Sequence, residues 1–237
     1  MTSSEIAKLG LDPDIIAPHQ DFSTASLNPM ILSRRSLLAG LALSGAGASA
    51  FAQSAPEPQA APIELIEDTL ALPCAVSLGH RHGDVIMIEY FDYNCPWCKR
   101  SAEALPALLK AEPDLTYVLV NFAVLGPASV TATKAALAYL QLHGPERYLP
   151  LHLALFRLKG AVDGARAIAE AERLGGDRTR LEEAGNDERT AQWMKDAFKT
   201  GSSLGFSATP SFLVGTQSYM GGMSLAQKRE AIAQARG

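Results

Sequence analysis

Residues 85–91 read Val-Ile-Met-Ile-Glu-Tyr-Phe, a run of apolar positions with one charge and no alternation. Continuous β-branched and aromatic residues of this length predict a strand covered on both faces, as in a parallel sheet. Residues 96–110 then predict a helix. Pro96 suits its first position, where a missing N–H costs nothing. Pro106, further in, predicts a kink. "TYVLVNFAVL" (116–125) predicts a second strand. Strand, helix and strand make a βαβ unit with a right-handed crossover.

From 126 to about 204 the texture changes to Ala- and Leu-rich helical segments, at 128–143, 146–158, 162–174, 177–184 and 188–200. Gly144, Gly160, Gly175 and Gly176 punctuate them. "PSFLVG" (210–215) predicts a strand and "QSYMG" (217–221) its hairpin partner, and Ser224 to Gln227 reads as a capping box opening a helix that ends near Arg236. Upstream, "IELIEDTLAL" (63–72) predicts a short amphipathic helix with Ile63, Ile66 and Leu70 on one face. The Pro/Ala-rich stretch 51–62 reads as a flexible linker. Two β-containing pieces flank an all-helical block. They must share one sheet, because a lone hairpin is not stable. The fold class is α/β with an all-helical insertion.

Composition narrows the function. A chain of 237 residues, 47% apolar, supports a substantial core. The net charge of −4 is too mild and of the wrong sign for a nucleic-acid binder. Three cysteines (Cys74, Cys95, Cys98) do not make a disulfide framework. "SRRSLLAGLALSGAGASA" (33–50) places Arg34 and Arg35 before a short apolar stretch and closes on a small-residue cleavage pattern at Ala50. That is an export signal, shorter than the roughly 18 apolar residues of a spanning helix; a retained anchor is the alternative. It resembles the twin-arginine signal of bacteria, although the usual later lysine is missing, which leaves the ordinary secretory route open. Residues 1–29 carry four acids against one lysine, unlike a signal, and Met30 reads as the true start, with a long disordered n-region as the alternative. The mature chain, soluble after cleavage, would work in the periplasm or otherwise outside the cytoplasm, where disulfides persist.

"EYFDYNCPWCKRSAEAL" (89–105) holds the chemistry. Cys95 falls at the strand-to-helix junction, facing the free N–H groups and positive end of the helix dipole, which favours a thiolate. Cys98 lies one turn in and shares a helix face with it. The pattern predicts an exposed nucleophilic Cys95 and a protected resolving Cys98. Glu89, the only charge in the apolar run, is costly to ionise in a covered strand, where it would pass protons to the pair; a strand-end acid reaching water is the alternative. Cys74, His80 and His82 together with the pair would supply zinc or copper ligands in a rival, metal-binding reading. A structural Cys95–Cys98 staple constrains too short a loop to matter. Cys74 reads as a free thiol, with an intermolecular disulfide as the alternative. His143 and His152 read as surface or satisfied core residues, and the ion-rich 177–189 as a solvated face.

"GDVIMIEYFDYNCPWCK" (83–99), the helical block and "ATPSFLVG" (208–215) together resemble the DsbA-like thiol:disulfide oxidoreductases of the thioredoxin superfamily. The resemblance covers most of residues 75–237. It implies a thioredoxin core over 75–125 and 205–237 with the helical insertion at 126–204; residues 51–74 are a linker and short helix, and 1–50 an extension and export signal. It implies Cys95 as the attacking cysteine, Cys98 as the resolving one, and Glu89 as the buried acid. Pro210 would be a cis-proline facing the disulfide, and Thr209 would offer backbone groups to an extended client peptide. Pro96 and Trp97 would line the site, with Trp97 semi-exposed for a client to pack on. No cofactor beyond the Cys95–Cys98 disulfide is implied. The partners would be cysteine-containing client proteins and a membrane redox partner. The dipeptide Pro96-Trp97 is neither the Pro-His of the strongest oxidases nor the Gly-Tyr of isomerases, and Thr209 resembles isomerase-like and copper-tolerance relatives. The resemblance therefore leaves oxidase and isomerase both open, with the oxidase preferred.

Overall fold

A computed structural model describes residues 56–237 of the chain. The expected export segment, cleavage after Ala50 and start at Met30 lie outside these residues. The described strands are β1 (Gln59–Ala60), β2 (Val76–Gly79), β3 (Val85–Phe91), β4 (Leu115–Asn121), β5 (Ser211–Val214) and β6 (Gln217–Met220). They form one sheet in the order β1-β6-β5-β3-β4-β2. The helices are α1 (Ile63–Leu70), α2 (Pro96–Ala111), α3 (Pro127–His143), α4 (Tyr148–Arg157), α5 (Gly164–Arg173), α6 (Arg178–Asn186), α7 (Glu188–Ser203) and α8 (Leu225–Arg236).

β3 is central. It runs parallel to β4, from Val85 opposite Leu115 to Phe91 opposite Asn121, and antiparallel to β5. Six of its seven residues are buried, which is why its sequence does not alternate. Helices α3 to α7 lie between β4 and β5, and the two β-containing pieces meet in the one sheet as the sequence requires. The fold is thus mixed α/β with an all-helical insertion. Tyr90, Phe91, Tyr117, Phe122 and Phe212 are among the largest fully buried side chains; each such ring contributes about 1.5–3 kcal/mol through burial.

α7 packs close to this core at Gly201. A Cβ there would lie 2.7 Å from Phe122 Cε2 and 3.1 Å from Tyr90 Cε1. Alanine is the better helix former by about 1 kcal/mol, but overpacking costs about 1–3 kcal/mol. Gly201→Ala is therefore expected to lower stability by up to about 2 kcal/mol net. A fall in urea midpoint at unchanged m-value checks it; a rise in midpoint would show that the rings give way freely.

Several elements differ from the sequence-based expectation. Part of the supposed linker is ordered as β1, with Gln59 opposite Ser218 and Ala60 opposite Gln217. β2 was not anticipated; its alternating burial marks an edge strand that exists through its pairing with β4. β4 ends at Asn121, not 125, because the N–H groups of Val124 and Leu125 turn to donate to Asp92 Oδ2 at 2.9 and 3.0 Å. On α1, Ile63 is exposed while Ile66 and Thr69 are buried, and Thr69 shares a 2.7 Å hydrogen bond with the Tyr90 hydroxyl. α2 continues through Pro106 to Ala111. The stretch 177–189 is largely solvated, yet Asp177 and Asp187 also cap α6 and α7.

α8 closes the structure. Arg229 and Arg236 donate to Glu112 at 2.8 and 2.7 Å, and Arg236 also reaches Asp84 at 2.6 Å. Arg229 holds Glu112, and Arg236 holds Asp84, below the usual carboxylate range. The same helix sends Lys228 inward, where it is fully buried.

Candidate active site

β3 delivers the chain to a loop, Asp92-Tyr93-Asn94, that is fixed before α2 begins. Asp92 is fully buried. Its Oδ1 accepts from the Asn94 N–H at 2.8 Å and the Ser129 hydroxyl at 2.7 Å, and its Oδ2 from Val124 and Leu125. All four donors are satisfied by one carboxylate, and hydrogen bonds to a charged acceptor are the stronger kind. Asn94 donates to the Val162 carbonyl at 2.9 Å and accepts from its N–H at 2.7 Å, tying the loop to the α4–α5 connection. Tyr93 shares a 2.9 Å bond with Tyr148, which accepts from Asn121 at 2.7 Å.

Cys95 is the N-cap of α2, with φ −86° and ψ 120°. A cap residue accepts from the free N–H groups of the first turn, and here the acceptor is sulfur: the Cys98 N–H lies 3.4 Å from Cys95 Sγ. Pro96 follows at the first helical position, where no N–H is needed. The Cys95 thiol donates to the Thr209 carbonyl at 3.1 Å. The Cys98 thiol bonding to the Cys95 sulfur is the main influence that brings Cys95 down to about 6; burial opposes it, and the backbone N–H groups of Cys98 and Trp97 help. Burial, first of all, pushes the fully enclosed Cys98 far above the thiol range, with the Cys95 hydrogen bond and the Glu89 carboxylate adding to it. One sulfur of the pair favours the anion while the other keeps its proton. Both are free thiols in this structure. Cys95 is less open than the sequence suggests, at 4% exposed, because the first turn of α2 and Thr209 enclose it.

The Thr209–Pro210 peptide is cis, and it enters β5 directly. Trp97 is 36% exposed. The Arg100 guanidinium lies 4.4 Å from its ring centroid, a cation–π contact. The ring also rests close on Gly222, where a Cβ would fall 2.7 Å from Trp97 Cε3. Pro96 and Trp97 thus form a rim over the buried sulfurs.

Glu89 does not reach water: it is 2% exposed and accepts from the Tyr117 hydroxyl. Lys228 Nζ donates to Tyr117 at 3.2 Å and to Ser101 at 2.5 Å. The structure therefore groups Cys95, Cys98, Pro96, Trp97, Thr209 and Pro210 at one mouth, with Glu89 behind Cys98.

It does not bring the remaining candidates of the zinc or copper reading to the pair. His80 and His82 precede β3 while Cys95 follows it, and seven strand residues at about 3.3 Å each separate the two ends. Cys74 is fully buried with Sγ 3.7 Å from the Trp193 carbonyl, and burial pushes its thiol up to about 12. That burial favours the free-thiol reading of Cys74. Among the described residues no three metal-ligating side chains converge. His152 is buried among Phe91, Tyr93 and Phe156, with Nδ1 unpartnered, and burial lowers it to about 3. His143 is half-buried beside Tyr139 and Arg147.

Sequence reasoning missed Asp92, Asn94, Tyr117 and Lys228. An acid closing an apolar strand just before a cysteine is a usable signal for Asp92. Lys228 carries none, since it stands between Gln227 and Arg229 in the polar first half of its helix, where a lysine ordinarily faces water.

A family profile described as thioredoxin matches residues 73–234. Among solved structures, the chain is similar to a thioredoxin-like oxidoreductase from Silicibacter pomeroyi DSS-3, at 30% identity and TM-score 0.67, covering 72% of this chain and 96% of that one. It is also similar to the thiol-disulfide exchange protein alpha-DsbA2 from Wolbachia pipientis, at 22% identity and TM-score 0.66 over 73% and 92% of the two chains. A periplasmic thioredoxin-like protein from Salmonella enterica serovar Typhimurium matches at 19% and TM-score 0.66, over 74% and 97%. These last two carry the fold alone. Among curated proteins, the Na(+)/H(+) antiporter NhaA 1 of Salinispora arenicola is 26% identical over 160 residues, 66% of this chain; the chain spans 24% of that protein's length.

Proposed function

Because the chain belongs to the DsbA-like thioredoxin family and is a thiol-disulfide oxidoreductase of that type, we propose that it is an exported oxidase donating the Cys95–Cys98 disulfide to client proteins. A client thiolate attacks Cys95 Sγ, the Cys95–Cys98 bond breaks, and the electron pair leaves on Cys98, which takes up a proton by way of Glu89. A second client thiol, deprotonated, then attacks the client sulfur of the mixed disulfide. Cys95 departs as a thiolate and the client carries the new disulfide. Thr209 and Pro210 would align an extended client peptide, and Pro96 and Trp97 would pack against it. A membrane partner would reoxidise the dithiol.

The observation that carries this reading is the Cys95 sulfur at the α2 cap beside a protonated Cys98. A sulfur held at about 6 is a better leaving group than an ordinary thiolate. At pH 7 its ionisation favours the reduced protein by about 1.4 kcal/mol, or about 30 mV of oxidising bias. The export signal and the periplasmic neighbour support a periplasmic location. The Asn94–Val162 bonds support treating 126–204 as an insertion docked on a core of 75–125 and 205–237.

A reduction potential measured against glutathione tests the proposal. An oxidase should fall between about −180 and −120 mV, whereas a value near −270 mV would assign a reductant. Alkylation of the reduced protein should follow a pH profile with its midpoint near 6. An acid with a depressed folded midpoint stabilises the fold above its unfolded value and loses that contribution as pH falls through the folded one. The stability advantage of the reduced over the oxidised form should therefore be full above about pH 8.5 and vanish on descending through about 6. A pH-independent difference between the two forms would contradict the thiolate.

A further inference from the structure

The exchange just proposed needs an anion to form on Cys98, in the least hydrated part of the site. Cys98 is fully buried. The carboxylate behind it, Glu89, is also buried and opposes a thiolate by like charge. A second buried charge lies on the other side of the same network. Lys228 comes from α8, far along the chain, and is fully enclosed. Its Nζ donates to Ser101 at 2.5 Å and to Tyr117 at 3.2 Å, and lies 4.8 Å from the Phe212 ring centroid. Ser101 is one turn beyond Cys98 on α2, so the two side chains share a face and the ammonium sits beside the sulfur's own row. Tyr117 in turn donates to Glu89. Burying a lysine without a direct carboxylate contact is costly, and apolar replacements of similar volume are often neutral or stabilising.

We propose that Lys228 is a positioning residue for disulfide opening: its ammonium, fixed by Ser101 and Tyr117, supplies the positive charge against which the Cys98 thiolate forms. The inference rests on the exchange reading above, with Glu89 handling the proton. When a client thiolate attacks Cys95 Sγ, the Cys95–Cys98 bond breaks and its electron pair passes to Cys98 Sγ. Lys228 balances that charge until the sulfur accepts a proton by way of Glu89. In the reverse step the Cys98 proton goes to Glu89, the thiolate attacks the mixed disulfide at Cys95, and the client thiolate leaves.

The test is the rate at which dithiothreitol opens the disulfide of the oxidised full-length protein, between pH 5 and 9. The variants are Lys228→Met, Glu89→Gln and the two combined. Lys228→Met should open about tenfold more slowly or worse, one decade per 1.36 kcal/mol of barrier, with a melting temperature no lower than the parent's. The midpoint for alkylating Cys95 in the reduced protein should stay near 6, a split that general loosening of the fold would not give. Opening within twofold of the parent in Lys228→Met overturns the proposal. Should that variant fail to fold, the combined variant leaves no lone buried charge, and rates equal to those of Glu89→Gln overturn it instead. A slow Glu89→Gln beside a normal Lys228→Met sinks this inference alone; a normal Glu89→Gln sinks the proton-handling reading beneath it.

Discussion

Cys95→Ala is expected to reduce disulfide exchange to the level of free thiols in solution, whereas Cys98→Ala should accumulate mixed disulfides between Cys95 and client proteins. The asymmetry follows from the two environments. Cys95 is the sulfur favoured as an anion, next to the Pro96–Trp97 rim, while Cys98 is enclosed and protonated. Without Cys98 nothing inside the protein can displace a captured client. Its loss also removes the largest influence that lowers Cys95, so the alkylation midpoint of Cys98→Ala should rise from about 6 towards the ordinary thiol value. Non-reducing gels and intact-mass measurement of the trapped species check the first part, and a pH series of alkylation rates the second. Exchange by Cys95→Ala at the parent's rate, or trapping through Cys95→Ala in place of Cys98→Ala, would reverse the assigned roles.

Asp92→Ala should be the most destabilising single change near the site. One carboxylate satisfies two backbone N–H groups of the β4–α3 connection, the Asn94 N–H and the Ser129 hydroxyl, all at 2.7–3.0 Å. Alanine leaves these donors without an acceptor where water is scarce. Unsatisfied buried groups cost about 1–3 kcal/mol each, and partial relaxation makes a total of about 3–5 kcal/mol the expectation. Urea unfolding of the reduced and oxidised forms measures it. A loss below about 1 kcal/mol would mean that the donors readily find other acceptors. Asp92→Asn keeps the shape and one acceptor oxygen, so it should fall between parent and alanine.

The sequence makes burial and local chemistry legible more readily than partnership. The continuous apolar run at 85–91 marks β3 because burial on both faces leaves a direct imprint on composition. The Cys95–Cys98 spacing marks the redox pair because i and i+3 must share a helix face. β1 and β2 leave little imprint: two and four residues long, they become strands through β6 and β4. Lys228 is hidden for the same reason on a longer scale. Its partner Ser101 lies 127 residues away, and a lysine flanked by Gln227 and Arg229 carries no sign of facing inward. His80 and His82 show the converse: the rival ligand set placed them with Cys95 and Cys98, but the strand β3 stands between the two groups.

The paired bonds between Asn94 and Val162 have a consequence for how this architecture can change. A side-chain amide there imitates one rung of a β-ladder, and the far half of the rung belongs to the helical block. A different block transplanted between β4 and β5 would need to bring a free peptide unit to that spot, or the loop carrying the reactive sulfur would lose its brace. The insertion is interchangeable only as a part that arrives with its own fastening, so variation should concentrate in its outer helices and spare the connection at 158–163.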